Sequence, residues 1–419
     1  MTAPSRDAEP LPQPAEADRI EHGPLRVLVV HNRYRSDAPS GENDVVDSEI
    51  AALRELGHAV VAYQRSSDEI DALPLGQRAT LPIRSIHSRR DNAAVLELVA
   101  CHRPDIVHVH NLNPLISPAV IPSVRRTGTP VVMTVHNFRL ACANGLFFRD
   151  GGECRQCMGR RFATPAVRHA CYRGSRAQSM SLATTLTAHR GSYMSVDHFV
   201  ALSPTIATFL DDLGVPASRV TVKPNTVADP GPASDPPLGR FLFVGRLTPS
   251  KGPAMLVNAW LRQPEGALGQ LTLLGSGSEQ DTIRQLIGTR GDVRMLGQVK
   301  PADVSSHLKE HGVVVAPSRW AEAFPRVVAE ALAHGRPVVT TRVGSLPEII
   351  GDAGWIAEPS PDDLARALRE AADSDIAAAG ARARARYEQC YAPAVVNHAL
   401  VALYRKVAAA ARFGNHEDT

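Results

Sequence analysis

Two basic residues share a short, glycine-bounded loop in the second half of the chain. Arg246 and Lys251 lie within residues 244–252, directly after an apolar run that is typical of a buried strand. Gly245 permits a close approach of the backbone to a ligand, and two cations on one loop can neutralise a diphosphate. A pair of solvated surface charges is the alternative, so this loop alone leaves both interpretations open.

Two carboxylates follow another apolar run further along the chain. Glu322 and Glu330 are eight residues apart, and Phe324 and Pro325 between them are placed to open a helix. Glu322 then lies in the loop before the helix, while Glu330 projects from its body. An ionised carboxylate accepts two O–H hydrogen bonds, which suits the hydroxyls of a sugar or a ribose. An exposed helical charge pair is the alternative. A third loop, the glycine-bearing turn Arg342–Glu348, again follows a predicted strand.

Four of the six cysteines fall within a short segment with the spacing C-x11-C-x2-C-x13-C. They are Cys142, Cys154, Cys157 and Cys171. A C-x2-C pair with two flanking cysteines resembles a four-thiolate zinc site, and zinc would hold the excursion Asn144–Gly174 in shape without a hydrophobic core. Disulfides or redox thiols, unligated cysteines and an iron–sulfur cluster are the alternatives.

Apolar β-branched runs alternate with helical patterns in both halves, which indicates βα units and parallel sheets covered on both faces. The predicted strands are Leu25–His31, Ala59–Tyr63, Asp105–His110, Pro130–His136, His198–Ser203, Arg240–Gly245, Gln270–Gly275, Gly312–Pro317 and Arg336–Thr341. The predicted helices include Asp44–Leu56, Pro325–His334, a helical segment Asp362–Gln389 and a last helix Ala392–Ala411. The α/β pattern predicts twin Rossmann-like domains facing a cleft, with ligands beyond the carboxyl ends of the strands.

The composition excludes several classes of protein. The 419 residues carry a formal charge of +3 and only 5% aromatic residues, which argues against nucleic-acid binding. No apolar stretch reaches the length of a membrane span, and residues 1–23 lack the basic and apolar regions of a secretory signal. We therefore predict a cytoplasmic protein whose first residues form a disordered tail.

The order and spacing of the three loops over residues 240–350 resemble the nucleotide-sugar site of retaining, GT-B-fold glycosyltransferases of family 4, also called group 1. The resemblance rests on the Gly-Arg…Lys-Gly loop, the Glu-x7-Glu pair and the Gly-x-x-Pro-Glu turn. In the first half, the Gly41 loop, His110 and His136 agree with it. The resemblance implies an α/β GT-B fold and transfer of a sugar from a UDP- or GDP-sugar. It also implies that catalysis needs neither metal nor cofactor.

The resemblance assigns roles residue by residue. Arg246 and Lys251 bind the donor diphosphate, Glu322 the transferred sugar and Glu330 the ribose. Gly41 approaches the phosphates, and His136 faces the donor sugar from the acceptor side. The implied catalytic residues are His136, Arg246, Lys251 and Glu322, and the implied donor-binding residues are Gly41, Gly245, Arg246, Lys251, Glu322, Phe324 and Glu330. Two positions depart from the family pattern, because Pro325 and Ser345 stand where family members often have glycine.

The resemblance also divides the chain. Residues 25–224 form the acceptor-side domain with a cysteine-rich insertion near 142–174, and residues 239–390 form the donor-binding domain. Residues 1–24 are a disordered tail, 225–238 a proline-rich linker, 391–412 a helix returning to the first domain, and 413–419 a tail.

The acceptor is the least determined part of the prediction. A bacterial surface glycan or a lipid-linked intermediate is the first expectation. A small soluble metabolite, or a non-catalytic protein that binds a nucleotide-sugar, is the alternative. Six arginines and no acidic residue fall between positions 155 and 176; they are Arg155, Arg160, Arg161, Arg168, Arg173 and Arg176. This basic segment predicts peripheral contact with anionic lipid at the inner face of the membrane, although a solvated loop explains it equally well.

Overall fold

The structure is a computed structural model and describes residues 23–37, 40–74, 76, 78 and 80–417, with side chains described up to residue 412. All but two residues of the predicted N-terminal tail, and residues 418–419 of the predicted C-terminal tail, lie outside the described residues. The chain divides into two compact units. The first unit comprises the described parts of 1–145, 155–226 and 394–419, and the second comprises 146–154 and 227–393.

The first unit is built on a six-stranded parallel sheet with the order β2-β1-β3-β4-β7-β8. Its strands are β1 (Arg26–Arg33), β2 (Ala59–Ser66), β3 (Ile106–Val109), β4 (Val131–Val135), β7 (His198–Ala201) and β8 (Val220–Val222). β3, β4 and β7 are buried along their whole length, which explains their continuous apolar runs.

The second unit repeats this plan with the parallel order β11-β10-β9-β12-β13-β14. Its strands are β9 (Arg240–Val244), β10 (Gln270–Leu274), β11 (Val293–Gly297), β12 (Val313–Ala316), β13 (Val338–Thr341) and β14 (Gly354–Ala357). A small antiparallel hairpin, β5 (Phe148–Arg149) with β6 (Gly152–Glu153), also belongs to the second unit, where Arg319 donates a hydrogen bond of 2.8 Å to the Gly151 carbonyl. The predicted insertion into the first domain is therefore divided between the two units.

Helices connect the strands in both units. Those of the first unit are Gly41–Glu55, Glu69–Ala72, Leu81–Ile86, Arg89–His102, Val120–Arg125, Thr164–Arg168, Arg176–Ala188, Arg190–Met194, Pro204–Asp212 and, from Ala394 onward, Pro393–Glu417, with 3-10 turns at Phe138–Leu140 and Ala217–Arg219. Those of the second unit are Pro253–Trp260, Gln280–Ile287, Pro301–Glu310, Arg326–Ala333, Leu346–Ile350, Pro361–Asp373 and Ile376–Cys390. Within the described residues, no helix is both long and apolar enough to cross a bilayer.

Capping side chains account for the main differences from the predicted helices. The first helix begins at Gly41 rather than Asp44, because Ser40 accepts a hydrogen bond from the backbone of Glu42 at 3.3 Å. The segment predicted as one helix over 362–389 is two helices, because Asp375 accepts from the backbone of Ala378 and starts a new one. The last helix continues to Glu417, so residues 413–417 of the predicted tail are helical.

The last helix packs on the sheet of the first unit. Leu400 and Tyr404 are fully buried in one apolar cluster with Val27 and Val29 of β1. The predicted fold class is confirmed: the protein is α/β, with two Rossmann-like parallel sheets and a C-terminal helix that returns to the first unit.

Candidate functional site

The loop after β9 carries Lys251, and the next residue is a glycine that cannot be replaced without a steric clash. Gly252 has φ +70° and precedes the helix Pro253–Trp260, and a Cβ atom there would lie 2.1 Å from the carbonyl oxygen of Pro317. Gly245 itself is less constrained, since a Cβ on it would meet only the Phe243 ring, at 3.4 Å. The approach of Gly245 to a ligand stays a prediction, and the contact of Gly252 with Pro317 is a separate constraint on the same loop.

Lys251 meets Glu322 directly. The Lys251 Nζ donates to Glu322 Oε2 at 2.6 Å, and the Ser318 hydroxyl donates to the other carboxylate oxygen. Glu322 is only 5% exposed, whereas the Lys251 side chain is about one-fifth exposed and lies 5.7 Å from the centre of the Trp320 ring. A buried carboxylate with both oxygens occupied is held in one orientation, and its cationic partner remains accessible.

The third predicted loop, Arg342–Glu348, packs against the backbone of Glu322. Gly344 has φ +57°, and a Cβ atom there would lie 2.6 Å from the backbone nitrogen of Glu322. The next residue, Ser345, donates its backbone N–H to the Glu322 carbonyl at 3.2 Å. Ser345 is fully buried, and within the described residues its hydroxyl has no hydrogen-bond partner. The three predicted loops therefore converge on Glu322.

The other predicted donor-side residues are placed differently. Glu330 lies on the body of the helix Arg326–Ala333 and forms an ion pair with Arg326 at 3.4 Å. Pro325 is the residue before this helix, not its first residue as predicted, and Phe324 packs edge-on against Tyr391 with ring centres 5.8 Å apart. The Arg246 side chain is exposed.

His136 follows β4 in the first unit and lines a pocket. Its Nε2 lies 2.9 Å from Nδ1 of His110, and the two rings are stacked with centres 5.2 Å apart. The polar side chains around this pocket include Glu42, Asn113 and Arg139. Gly41 is exposed and is the first residue of the helix Gly41–Glu55.

Glu42 and Arg139 give the pocket one acidic and one basic group. Burial raises the pKa of Glu42 to about 7, although the nearby Arg139 opposes that shift. Arg139 donates to the Tyr34 hydroxyl at 3.2 Å, and its guanidinium lies 5.8 Å and 5.9 Å from the ring centres of Tyr34 and Tyr172. At neutral pH the Glu42 carboxyl is therefore about half protonated and offsets the charge of Arg139 only in part, so the pocket offers a carboxyl and a guanidinium to a polar ligand group.

A buried polar network lies behind the pocket. Lys223 donates to one oxygen of Glu49 at 2.9 Å, and Nδ1 of His108 lies 2.9 Å from the other. The same nitrogen is 2.6 Å from the Tyr404 hydroxyl, and His108 Nε2 is 2.8 Å from the Thr134 hydroxyl. Burial alone would raise the pKa of Glu49, but Lys223 and His108 hold it well below its usual value. The network thus contains an ionised, buried carboxylate.

Three histidines next to this network are uncharged at neutral pH. Burial lowers the pKa of His31 to about 3, with repulsion from His110 adding to the effect. Burial also lowers the pKa of His110 to about 4 and that of His136 well below its ordinary value. Each of these rings therefore offers one N–H donor and one lone pair.

Two clusters have metal-ligand chemistry, and one of them lies wholly in the first unit. Potential ligand atoms of Glu49, His108 and His110 all lie within 4.8 Å of one another. A metal ion there would share the Glu49 carboxylate with the Lys223 ammonium, so we interpret the cluster as a hydrogen-bond network.

The cysteine cluster is arranged less closely. The Cys142 thiol donates to the Asn144 amide oxygen at 2.9 Å, while Cys157 and Cys171 pack against a small apolar cluster. Among the described residues, no three cysteine sulfurs lie within 4.8 Å of one another. The structural zinc site stays a prediction.

The arginines of the basic segment lie on the protein surface. All six of its arginines, from Arg155 to Arg176, are exposed, and Arg155 lies 3.4 Å from Asp212. That contact gives Asp212, at the end of the helix Pro204–Asp212, a surface partner.

Sequence reasoning missed the pocket residues Glu42 and Arg139 and the network members Glu49 and Lys223. One signal was present: His108 and His110 are two residues apart on an apolar strand, which places both on one buried face. Lys223 carried no such signal, because it stands at the edge of the proline-rich linker.

Comparisons with known proteins agree with this architecture. The profile of the family "Glycosyl transferase 4-like domain" matches residues 40–226, and that of "Glycosyl transferases group 1" matches residues 239–374. The fold is similar to that of HepE from Anabaena, crystallised with UDP and glucose, with a TM-score of 0.62, 18% identity and coverage of 91% of this chain and 100% of that one. It is also similar to sucrose-phosphate synthase from Thermosynechococcus elongatus, with a TM-score of 0.66, 20% identity and coverage of 92% and 100%.

The curated relatives match over shorter stretches. O-antigen chain mannosyltransferase B of Escherichia coli is 33% identical over 166 residues, which is 36% of this chain and 43% of that protein. The D-inositol 3-phosphate glycosyltransferase of Pseudarthrobacter chlorophenolicus is 29% identical over 261 residues, or 59% and 57% of the two chains. The chain thus spans about half the length of these two relatives.

Fold and site together define a glycosyltransferase of the GT-B class. The two profiles match more than half of the chain between them, and the predicted resemblance is confirmed. The chain belongs to the group 1, or family 4, glycosyltransferases.

Proposed function

We propose that this protein is a retaining, metal-independent glycosyltransferase that uses a nucleoside-diphosphate sugar as donor. The observation that carries the proposal is the contact of Lys251 with the buried Glu322, with both residues held in place by glycines that tolerate no side chain. A cation beside an oriented carboxylate, on loops at the carboxyl ends of parallel strands, suits a ligand that combines phosphate with hydroxyls.

Each of the predicted site residues has a separate role in the proposed reaction. The bond from the anomeric carbon to the diphosphate oxygen breaks, and the acceptor oxygen bonds to that carbon on the same face. The acceptor proton passes to the departing phosphate oxygen. Lys251 and Arg246 stabilise the charge that develops on the leaving diphosphate, while Glu322 orients the sugar by accepting its hydroxyls. Glu330 binds the ribose, and His136 binds the sugar from the first unit.

The donor is a UDP- or GDP-sugar. Support for a uridine nucleotide comes from HepE, whose crystal structures contain UDP, UDP with glucose, or UDP-glucose. At 17–18% identity, that neighbour supports the donor class as a proposal for this chain rather than as a shared property.

The acceptor enters the pocket beside His136 and is a surface glycan or a lipid-linked intermediate. The Glu42 carboxyl and the Arg139 guanidinium offer hydrogen bonds to a hydroxyl-bearing group at the reacting end of the acceptor. A small soluble metabolite is the alternative acceptor. Contact of the Arg155–Arg176 segment with the inner face of the membrane belongs to the lipid-linked version.

The test is release of nucleoside diphosphate from a panel of UDP- and GDP-sugars, with and without acceptor extract. We expect Lys251→Ala to lower kcat/KM about 10²- to 10³-fold, the usual effect of removing one charge-stabilising group. The matched control is Arg284→Gln, which removes a surface ion pair with Asp281 in the same unit and leaves the rate unchanged. Donor binding without turnover would favour a non-catalytic protein. Absence of donor binding, measured by calorimetry, would refute the proposed function.

A further inference from the structure

His110 stands between a buried carboxylate and the histidine that lines the pocket. Its Nδ1 is 2.9 Å from Nε2 of His136, and its Nε2 is 3.5 Å from Oε1 of Glu49. Both His110 and Glu49 are almost completely buried. Among the described residues, the His110 Nε2 has no hydrogen-bond partner of good geometry. The Glu49 oxygen beside it also lies 2.9 Å from Nδ1 of His108, so electrostatic attraction to this carboxylate decides how the His110 ring is protonated.

The charge of Glu49 fixes which His110 nitrogen carries hydrogen. The other oxygen of Glu49 accepts from Lys223 at 2.9 Å, so the carboxylate is ionised. A neutral imidazole has one N–H and one lone pair. A lone pair on Nε2 would face the negative oxygen, whereas an N–H there is attracted to it. The N–H therefore lies on Nε2, and Nδ1 is left as an acceptor.

The same logic extends to His136. Because His110 Nδ1 is an acceptor, the hydrogen between the two rings belongs to Nε2 of His136. The neutral His136 then has a lone pair on Nδ1, the one nitrogen not engaged by His110. Burial holds the pKa of His110 near 4, so this arrangement persists at neutral pH.

We infer that Glu49 is a positioning residue which, acting through His110, holds His136 in the tautomer with hydrogen on Nε2. His136 consequently meets its ligand as a hydrogen-bond acceptor and takes a sugar hydroxyl rather than donating to a sugar oxygen. The ligand part of this inference rests on the proposed function, while the tautomer itself does not.

The direct test is long-range ¹H–¹⁵N NMR of the histidine-labelled full chain, with His136→Gln used to assign the ring signals. We expect the His136 pattern of an Nε2–H tautomer. A dominant Nδ1–H pattern in the wild-type protein would overturn the inference, whether or not the protein proves to be a glycosyltransferase.

A paired variant tests the role of Glu49. Glu49→Gln with Lys223→Gln removes both charges together, so no buried charge is left without a partner. We expect a mixture of His136 tautomers, and kcat lowered about 10- to 100-fold with donor KM little changed, as for other partners that orient an imidazole. Arg35→Gln with Asp71→Asn, which removes both charges of an exposed ion pair of the same unit, is the control. A pure Nε2–H tautomer in the Glu49 variant would show that Glu49 does not set it.

Discussion

Lowering the pH from 8 to 5 should destabilise the first unit through His31. This side chain is completely buried and has a folded-state pKa of about 3, compared with 6.5 for an ordinary histidine. A histidine with a depressed pKa contributes stability that is fully present above pH 6.5 and is lost as the pH falls towards 3. At pH 5 the unfolded chain binds this proton and the folded protein does not.

The size of the effect follows from the two pKa values. With a pKa of 6.5 in the unfolded chain and about 3 in the folded protein, protonation of His31 lowers the free energy of unfolding at pH 5 by about 2 kcal/mol relative to pH 8. His31→Asn should remove this pH-dependent part. The variant also alters the 3.0 Å contact with Asn43, but that change acts at both pH values and cancels in the difference between them.

The assay must report the first unit alone. All three tryptophans, Trp260, Trp320 and Trp355, lie in the second unit, so fluorescence follows that unit. Amide hydrogen exchange of β3 and β4, corrected for the intrinsic rate, reports the first. We expect the stability difference between pH 8 and pH 5 to be smaller in His31→Asn by about 2 kcal/mol. His102→Asn, at an exposed position, is the control. Equal pH dependence in the wild type and His31→Asn would refute the reasoning.

Three further predictions concern other parts of the chain. Gly252→Ala should lower the free energy of unfolding by clearly more than the roughly 1 kcal/mol expected for Gly266→Ala. Both glycines have a positive φ, but only at Gly252 would a Cβ atom press against the backbone. Urea unfolding followed by fluorescence measures both variants, and equal losses would contradict this. If the cysteine cluster binds zinc, elemental analysis of purified protein should find about one equivalent, lost in Cys157→Ser; zinc far below one equivalent in the wild type would remove the idea. If the basic segment contacts lipid, sedimentation with anionic liposomes should weaken with salt and in Arg160→Glu/Arg161→Glu, and binding indifferent to both would exclude the electrostatic mechanism.

The strands predicted most closely from the sequence include those that are buried on both faces of a sheet. β3, β4, β9 and β12 were predicted to within two residues at either end, because a strand covered on both faces is a continuous apolar run. β8 and β14 were missed because they are short edge strands, and β11 because its exposed and buried positions alternate. Such strands carry a weak local signal.

The donor-side loops were predictable because each follows a recognisable strand, and the first and third of them carry glycine. The polar network of the first unit was not, because its members are distant in sequence. Lys223 and Glu49 are 174 residues apart, and Tyr404 is 296 residues from His108. No local spacing records such a contact. Only the folded sheet and the returning helix bring these side chains together.

The returning helix also has a consequence for how the chain is made. The sheet of the first unit is complete in sequence at Val222, but the helix that covers one face of it, with Leu400 and Tyr404 in the core, is synthesised only after the second unit. Until this helix leaves the ribosome, an apolar face of the first sheet and the Glu49 carboxylate are therefore incompletely buried. The second unit is complete in sequence before this helix is made, so the half that is translated earliest is the last to complete its core.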